Sequence, residues 1–152
     1  MLRTLLVLCV FCWIISPLAW AQADPEPSLL QFGAGILATI ADQNEFPTGA
    51  SARLWLLGQY GLEVSVFTRE SNPTFSIRAL YSFIQTGIVA LYAGGGVAFF
   101  SEGLSFDSTL QAMLGIEIEL LEKLIFVVEV GGVFGGQAAI PATAAAGIFY
   151  YF

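Results

Sequence analysis

The last twelve residues, Pro141 to Phe152 (PATAAAGIFYYF), alternate with a period of two until the chain stops. Phe152, Tyr150, Ile148, Ala146 and Ala144 fall on one face, and Tyr151, Phe149, Gly147, Ala145 and Thr143 on the other. Period two is the signature of a β-strand, because successive side chains leave a strand on opposite sides. The same pattern can be followed through the rest of the chain. In a first strand, Leu29 to Ile40, the even positions are Leu30, Phe32, Ala34, Ile36, Ala38 and Ile40. After a loop from Asp42 (DQNEFPTG), a second strand sets Ala50, Ala52, Leu54 and Leu56 against Ser51, Arg53 and Trp55. Gly58 to Gly61 reads as a tight turn, and a third strand sets Leu62, Val64 and Val66 against Glu63, Ser65, Phe67 and Arg69.

Beyond a loop at Glu70 to Pro73, a fourth strand sets Phe75, Ile77, Ala79, Tyr81 and Phe83 against Thr74, Ser76, Arg78, Leu80 and Ser82. Gln85 to Gly87 turns into a fifth strand reaching about Phe100, and Ser101 to Asp107 reads as a loop. The sixth strand has the cleanest alternation, with Leu110, Ala112, Leu114, Ile116, Ile118 and Leu120 interleaved with Thr109, Gln111, Met113, Gly115, Glu117 and Glu119. Leu121 to Lys123 turns into a seventh, in which Glu129 shares a face with Ile125, Val127 and Gly131. Gly135 to Gln137 leads to the terminal strand. The pattern therefore predicts eight strands.

Seven charges lie within these strands: Arg53, Glu63, Arg69, Arg78, Glu117, Glu119 and Glu129. All fall on the face opposite the continuously apolar one. The third and sixth strands each hold two charges, and both pairs are in phase. A face free of charge in every strand is what lipid requires, since Arg or Lys facing the bilayer midplane costs about 2–4 kcal/mol. Strands can cross lipid only in a closed sheet, which satisfies every backbone N–H and C=O without water. Composition agrees: the 152 residues are 57% hydrophobic and only 11% charged, with a mean hydropathy of +0.77. Soluble domains carry about a quarter charged residues. Five basic and twelve acidic residues give a formal charge of −7. No basic patch is available for nucleic acid, which is excluded as a partner.

The N-terminus has the parts of a secretory signal. Arg3 is the positive residue, Leu5 to Ile15 an apolar run, and Ala19-Trp20-Ala21 a small-x-small cleavage site, with cleavage after Ala23 as the competitor. The apolar run, 11 residues long, is too short to span a bilayer core. The expected organisation is a signal peptide over 1–21, a periplasmic lead-in over 22–28, with two prolines and two acids, and a barrel over 29–152. Both cysteines, Cys9 and Cys12, would leave with the signal, so no disulfide, thiolate nucleophile or cysteine metal site is expected.

Two other architectures fit less well. Ala79 to Ser101 and Val130 to Phe152 are each long enough and uncharged enough for a transmembrane helix, but the first contains Gly94-Gly95-Gly96 and the second Pro141 and several glycines. Glu117 and Glu119 would also lie about 200° apart on a helix, whereas on a strand they share a face. A soluble barrel of the lipocalin kind would be apolar inside and polar outside, and the uncharged face argues against it.

With these features in place, the expected mature chain resembles the small eight-stranded outer-membrane β-barrel superfamily of OmpA-, OmpX- and OmpW-like proteins of Gram-negative bacteria. The resemblance is carried by the signal peptide, the eight alternating strands, the segment Leu91 to Phe100 (LYAGGGVAFF) and the aromatic terminal strand. It implies an all-β, antiparallel, up-and-down transmembrane barrel in the outer membrane, its last strand pairing with its first. It further implies contact with the lipid bilayer and lipopolysaccharide. Ile148, Tyr150 and Phe152 would form the insertion signal read by the outer-membrane assembly machinery. The outer loops are shorter than is common in that superfamily, which speaks against adhesion or receptor roles.

Enzymes of this membrane that resemble such barrels use a histidine as general base, and this chain has none. No catalytic residue, cofactor or metal site is therefore expected. The glycine clusters are not phosphate cradles, since no Gly-Lys follows them. They read instead as room for bulky inward side chains such as Trp55, Phe67 and Tyr92. Arg53 and Arg78 near mid-depth would be costly without partners, which predicts a network with Glu63, Glu117 and Glu129 across the bore. Glu63 and Glu119 are expected closer to the short turns, with Glu117 a step further in and at least one carboxylate near a rim. The functional expectation is a structural, non-enzymatic barrel with a largely filled lumen. The alternative is a narrow pore or a lateral conduit for small or apolar solutes.

Overall fold

The computed structural model describes residues 29–40, 48–69, 72–102, 105–135 and 140–152. The segments expected to be a signal peptide and a periplasmic lead-in, and most of the loop that follows Asp42, lie outside the described residues. The strands are β1 (Leu30–Ile40), β2 (Thr48–Leu56), β3 (Tyr60–Arg69), β4 (Asn72–Thr86), β5 (Val89–Glu102), β6 (Ser105–Leu121), β7 (Leu124–Phe134) and β8 (Ile140–Tyr151). Each pairs antiparallel with its chain neighbours, and β8 returns to β1 to close the barrel. The seam runs from Gly33 opposite Tyr151 to Ile40 opposite Ala144. No strand edge is left open along it, which removes the unpaired backbone groups that lipid would not tolerate.

Side chains sort by parity as the alternation requires. Leu30, Ile36, Leu62, Ile77, Leu110, Leu114, Val130 and Ile148 are exposed on the outside. The polar groups are inside: Ser51, Arg53, Glu63, Ser65, Ser76, Arg78, Ser82, Thr109 and Glu129 are all buried. This inversion suits a barrel whose solvent is lipid. It leads to a first prediction. Val64 is exposed midway along β3, between Ala52 and Ile77 on the neighbouring strands. Val64→Arg should destabilise the barrel by about 2–4 kcal/mol in urea titrations of protein folded into vesicles; an unchanged midpoint would mean that this face does not meet lipid.

Eight strands leave an interior just wide enough for side chains to fill, and the large residues lie where the paired position on the neighbouring strand is glycine. Trp55 lies over Gly61, Phe67 over Gly49, Tyr92 over Gly115 and Tyr151 over Gly33. A Cβ on Gly115 would overlap the Tyr92 ring, which is fully buried. Gly115→Ala should accordingly destabilise by about 1–3 kcal/mol in the same titration. An alanine there without penalty would show that Tyr92 can move aside.

Thr48, Gly49, Asn72 and Pro73, expected in loops, are paired as strand, and three further details differ from the sequence expectation. The β2–β3 turn falls on Leu57 to Gln59, earlier than Gly58 to Gly61. It contains two consecutive left-handed residues, Leu57 at φ 54° and Gly58 at φ 66°, the backbone of a tight hairpin turn. Second, β5 and β6 extend into the segment expected to be a loop, pairing Phe100 with Asp107, Ser101 with Phe106 and Glu102 with Ser105. The ladder is made by backbone groups and continues where side chains stop alternating. Third, β4 has a bulge between Ser82 and Ile84, so that Phe83 drops out of the register and Gln85 comes opposite Ala90. An extra residue in one strand shifts its parity beyond that point.

Candidate functional site

The centre of the lumen is built from one row of the sheet. Arg53 on β2 lies opposite Glu63 on β3, and Glu63 lies opposite Arg78 on β4. Gly33 and Gly96 flank this row on β1 and β5. Glu129 on β7 and Glu117 on β6 reach the same point from the far wall. The structure thus brings Arg53, Arg78, Glu63, Glu117 and Glu129 into one connected set.

Arg53 is the hub and is fully buried. Its Nε donates to Glu63 Oε2 at 2.7 Å, and its Nη2 donates to the same oxygen and to Glu129 Oε1 at 2.9 Å. Its Nη1 donates to Glu117 Oε1. Arg78 uses the other side of the same carboxylates: Nη1 donates to Glu129 Oε2 at 2.8 Å and Nη2 to Glu63 Oε1. Glu63 and Glu129 therefore each bridge both arginines. Such bridging is what makes buried charges tolerable, since each guanidinium finds anions and each carboxylate finds donors.

Neutral side chains complete the set. Tyr92 donates its hydroxyl to Glu129 Oε1 at 2.6 Å, and Tyr151 donates to Glu117 Oε1 at 2.8 Å. Trp55 Nε1 in turn donates to the Tyr151 oxygen at 3.0 Å. Ser65 donates to Glu63 Oε1 at 2.8 Å and shares a hydrogen bond with Ser51 at 2.9 Å. The Arg53 guanidinium also lies over two rings, 4.5 Å from the centroid of Phe149 and 4.9 Å from that of Tyr92. Cation–π contacts of this kind are strongest where water is excluded. Among the described residues, Arg78 Nε and Thr109 Oγ1 are the buried side-chain polar atoms without a partner.

Glu63 stands level with Arg53 and is fully buried, not closer to the turns as its sequence position suggests. The reason is the earlier turn, which places Glu63 directly across the hairpin from Arg53. The carboxylate nearest a rim within the set is Glu117, whose side chain retains 12% exposure; Glu119 is exposed beyond it. Tyr92 and Tyr151 were legible as inward-facing residues, but nothing in the pattern marks their hydroxyls as donors to carboxylates on another wall. Ile148, Tyr150 and Phe152 lie together on the outside of β8, all exposed. Tyr150 and Phe152 meet edge to face at 5.3 Å between centroids, and Phe152 stacks on Phe32 of β1 at 5.7 Å.

The arrangement offers little chemistry. The described residues contain no group of three or more His, Cys, Asp or Glu placed to hold a metal ion, and the buried carboxylates are held by arginine and tyrosine.

No protein-family model matches the chain, and no curated protein sequence matches it. Solved structures do. The N-terminal β-barrel domain of Pseudomonas aeruginosa OprF superposes with a TM-score of 0.64 at 16% identity, covering 80% of this chain and 97% of that domain. The de novo designed barrel TMB2.3 gives a TM-score of 0.63 at 16% identity, covering 79% of this chain and 92% of the design. The outer membrane protein OprG from Pseudomonas aeruginosa gives 0.46 at 13% identity, over 81% and 94% of the two chains. The chain has the fold of the small eight-stranded outer-membrane β-barrels.

Proposed function

We propose that this protein is an integral, non-enzymatic barrel of the bacterial outer membrane whose lumen is closed by its own side chains. The observation that carries this reading is the bridged set of Arg53, Arg78, Glu63, Glu117 and Glu129, which ties five strands together across the bore. A solute crossing the barrel would have to part these bonds between buried charges. Leu37, Trp55, Leu80, Tyr92, Met113, Val127, Phe149 and Tyr151 pack around that set as one buried cluster. A water-filled pore would instead be lined by polar groups along its length.

The absence of histidine from the whole sequence supports the non-enzymatic part of this reading. The partners follow from the two faces of the wall. The apolar exterior meets acyl chains of the bilayer and of lipopolysaccharide, and Ile148, Tyr150 and Phe152 present an aliphatic and two aromatic groups to the assembly machinery. Liposome swelling tests the closed lumen. Vesicles carrying the folded protein should remain as impermeable to glycine and arabinose as empty vesicles. Swelling at rates seen with a general porin would overturn the proposal and favour a pore.

A further inference from the structure

Below the charge set, toward the short turns, the bore widens into a cavity of about 290 Å³. It lies between the β2–β3 turn at Gly58 and the β4–β5 turn at Gly87. Its floor is Trp55 and Tyr151, joined by their hydrogen bond, with Glu117 beside them. Gln31, Gln85 and Glu119 stand on its walls. This volume is near the lower end of small-molecule sites, which combine apolar or aromatic surface with a few convergent polar groups.

Its electrostatics are one-sided. Glu63 and Glu129 each bridge two arginines, but among the described residues Glu117 pairs with one. Both hydrogen bonds that Glu117 makes among the described residues end on Oε1, from Arg53 and from Tyr151. Its other oxygen takes no described protein donor, although the residue lines the cavity. Glu119 makes no ion pair among the described residues and lines the same space. Counting Glu119, the described interior holds four carboxylates to two arginines, and the excess lies at this end. Anions are repelled from such a site. A bare divalent cation would find only these two carboxylates, short of the six or more oxygens that calcium takes. An organic cation suits it better, with its charge on Glu117 and Glu119 and its apolar part against Ile88 and Ile125, which line the same space.

We propose that this turn-end vestibule binds a small organic monocation of the alkylguanidinium or alkylamine class. Trp55 is a built-in reporter, because the other tryptophans, Trp13 and Trp20, precede the expected cleavage site. The test uses the exported protein, folded in vesicles, titrated with n-butylguanidinium while Trp55 emission is followed. The neutral isostere n-butylurea and magnesium ion serve as controls. A saturable change is expected with n-butylguanidinium alone. It should be about tenfold weaker in Glu117→Gln and about threefold weaker in Glu119→Gln, with folding verified by heat-modifiable migration. If Glu117→Gln does not fold, Glu119→Gln decides. No saturable change, an equal response to n-butylurea, the same response to magnesium, or unweakened binding in the folded variants would each overturn the proposal. None of these results bears on whether the lumen conducts, which the swelling assay reads separately.

Discussion

Arg53→Ala should destabilise the folded barrel by about 3–5 kcal/mol, among the largest effects of any single substitution in the chain. The guanidinium is fully buried and bonds Glu63, Glu117 and Glu129. Its removal would leave Glu63 and Glu129, both buried, sharing Arg78 alone, and Glu117 without its arginine. The penalty is that of stranded charge and not of the lost contacts alone, which gives the prediction a second arm. Replacing Arg53, Arg78, Glu63, Glu117 and Glu129 together with apolar residues of similar volume should cost less than Arg53→Ala, because no charge is then left unpaired and what loses a charged acceptor is the Ser65, Tyr92 and Tyr151 hydroxyls. Arg69→Ala, at the last position of β3, should change stability by no more than about 0.5 kcal/mol. Urea titration in vesicles measures all three. A mild effect of Arg53→Ala would show that the network is incidental to the fold.

Deleting Phe152 should have an equally large effect on biogenesis, by a different route. Phe152 is exposed at the end of the outer face, stacked on Phe32 and in edge contact with Tyr150. Its amide donates to the Phe32 carbonyl at 2.9 Å. None of these contacts reaches the lumen cluster. Removing the residue should therefore leave refolding into vesicles in vitro nearly intact, while in cells unfolded, exported protein accumulates in the periplasm and the heat-modifiable outer-membrane band disappears. Normal amounts of that band would contradict the role assigned to Ile148, Tyr150 and Phe152. Equal losses in vitro and in cells would assign Phe152 to stability instead of recognition.

The strand number and the two faces could be read from the sequence because lipid and lumen make opposite demands on alternate residues. A charge at Arg53 or Glu117 fixes the parity of its whole strand. The ends of the strands were less legible. Ser101 to Asp107 loses its alternation, yet the backbone ladder of β5 and β6 continues through Glu102 and Ser105. The bulge after Ser82 is equally silent, since Phe83 and Ile84 are both apolar and either could continue the pattern. Depth was the weakest inference. Counting from a turn placed at Gly58 to Gly61 puts Glu63 near the rim, and the turn at Leu57 to Gln59 moves it level with Arg53. Partners across the bore have no local signature at all. That Tyr92 serves Glu129 and Tyr151 serves Glu117 depends on how the sheet closes, which no segment of the chain encodes alone.

Planar-bilayer recording reads whether the lumen is closed. Wild-type protein at neutral pH should insert without resolvable conductance steps, because Arg53 and Arg78 hold carboxylates from three other strands across the bore. Arg53→Ser, in those molecules that fold, should show small discrete steps. Stable steps from the wild type, of the same size as those from Arg53→Ser, would mean that the charge set does not close the bore.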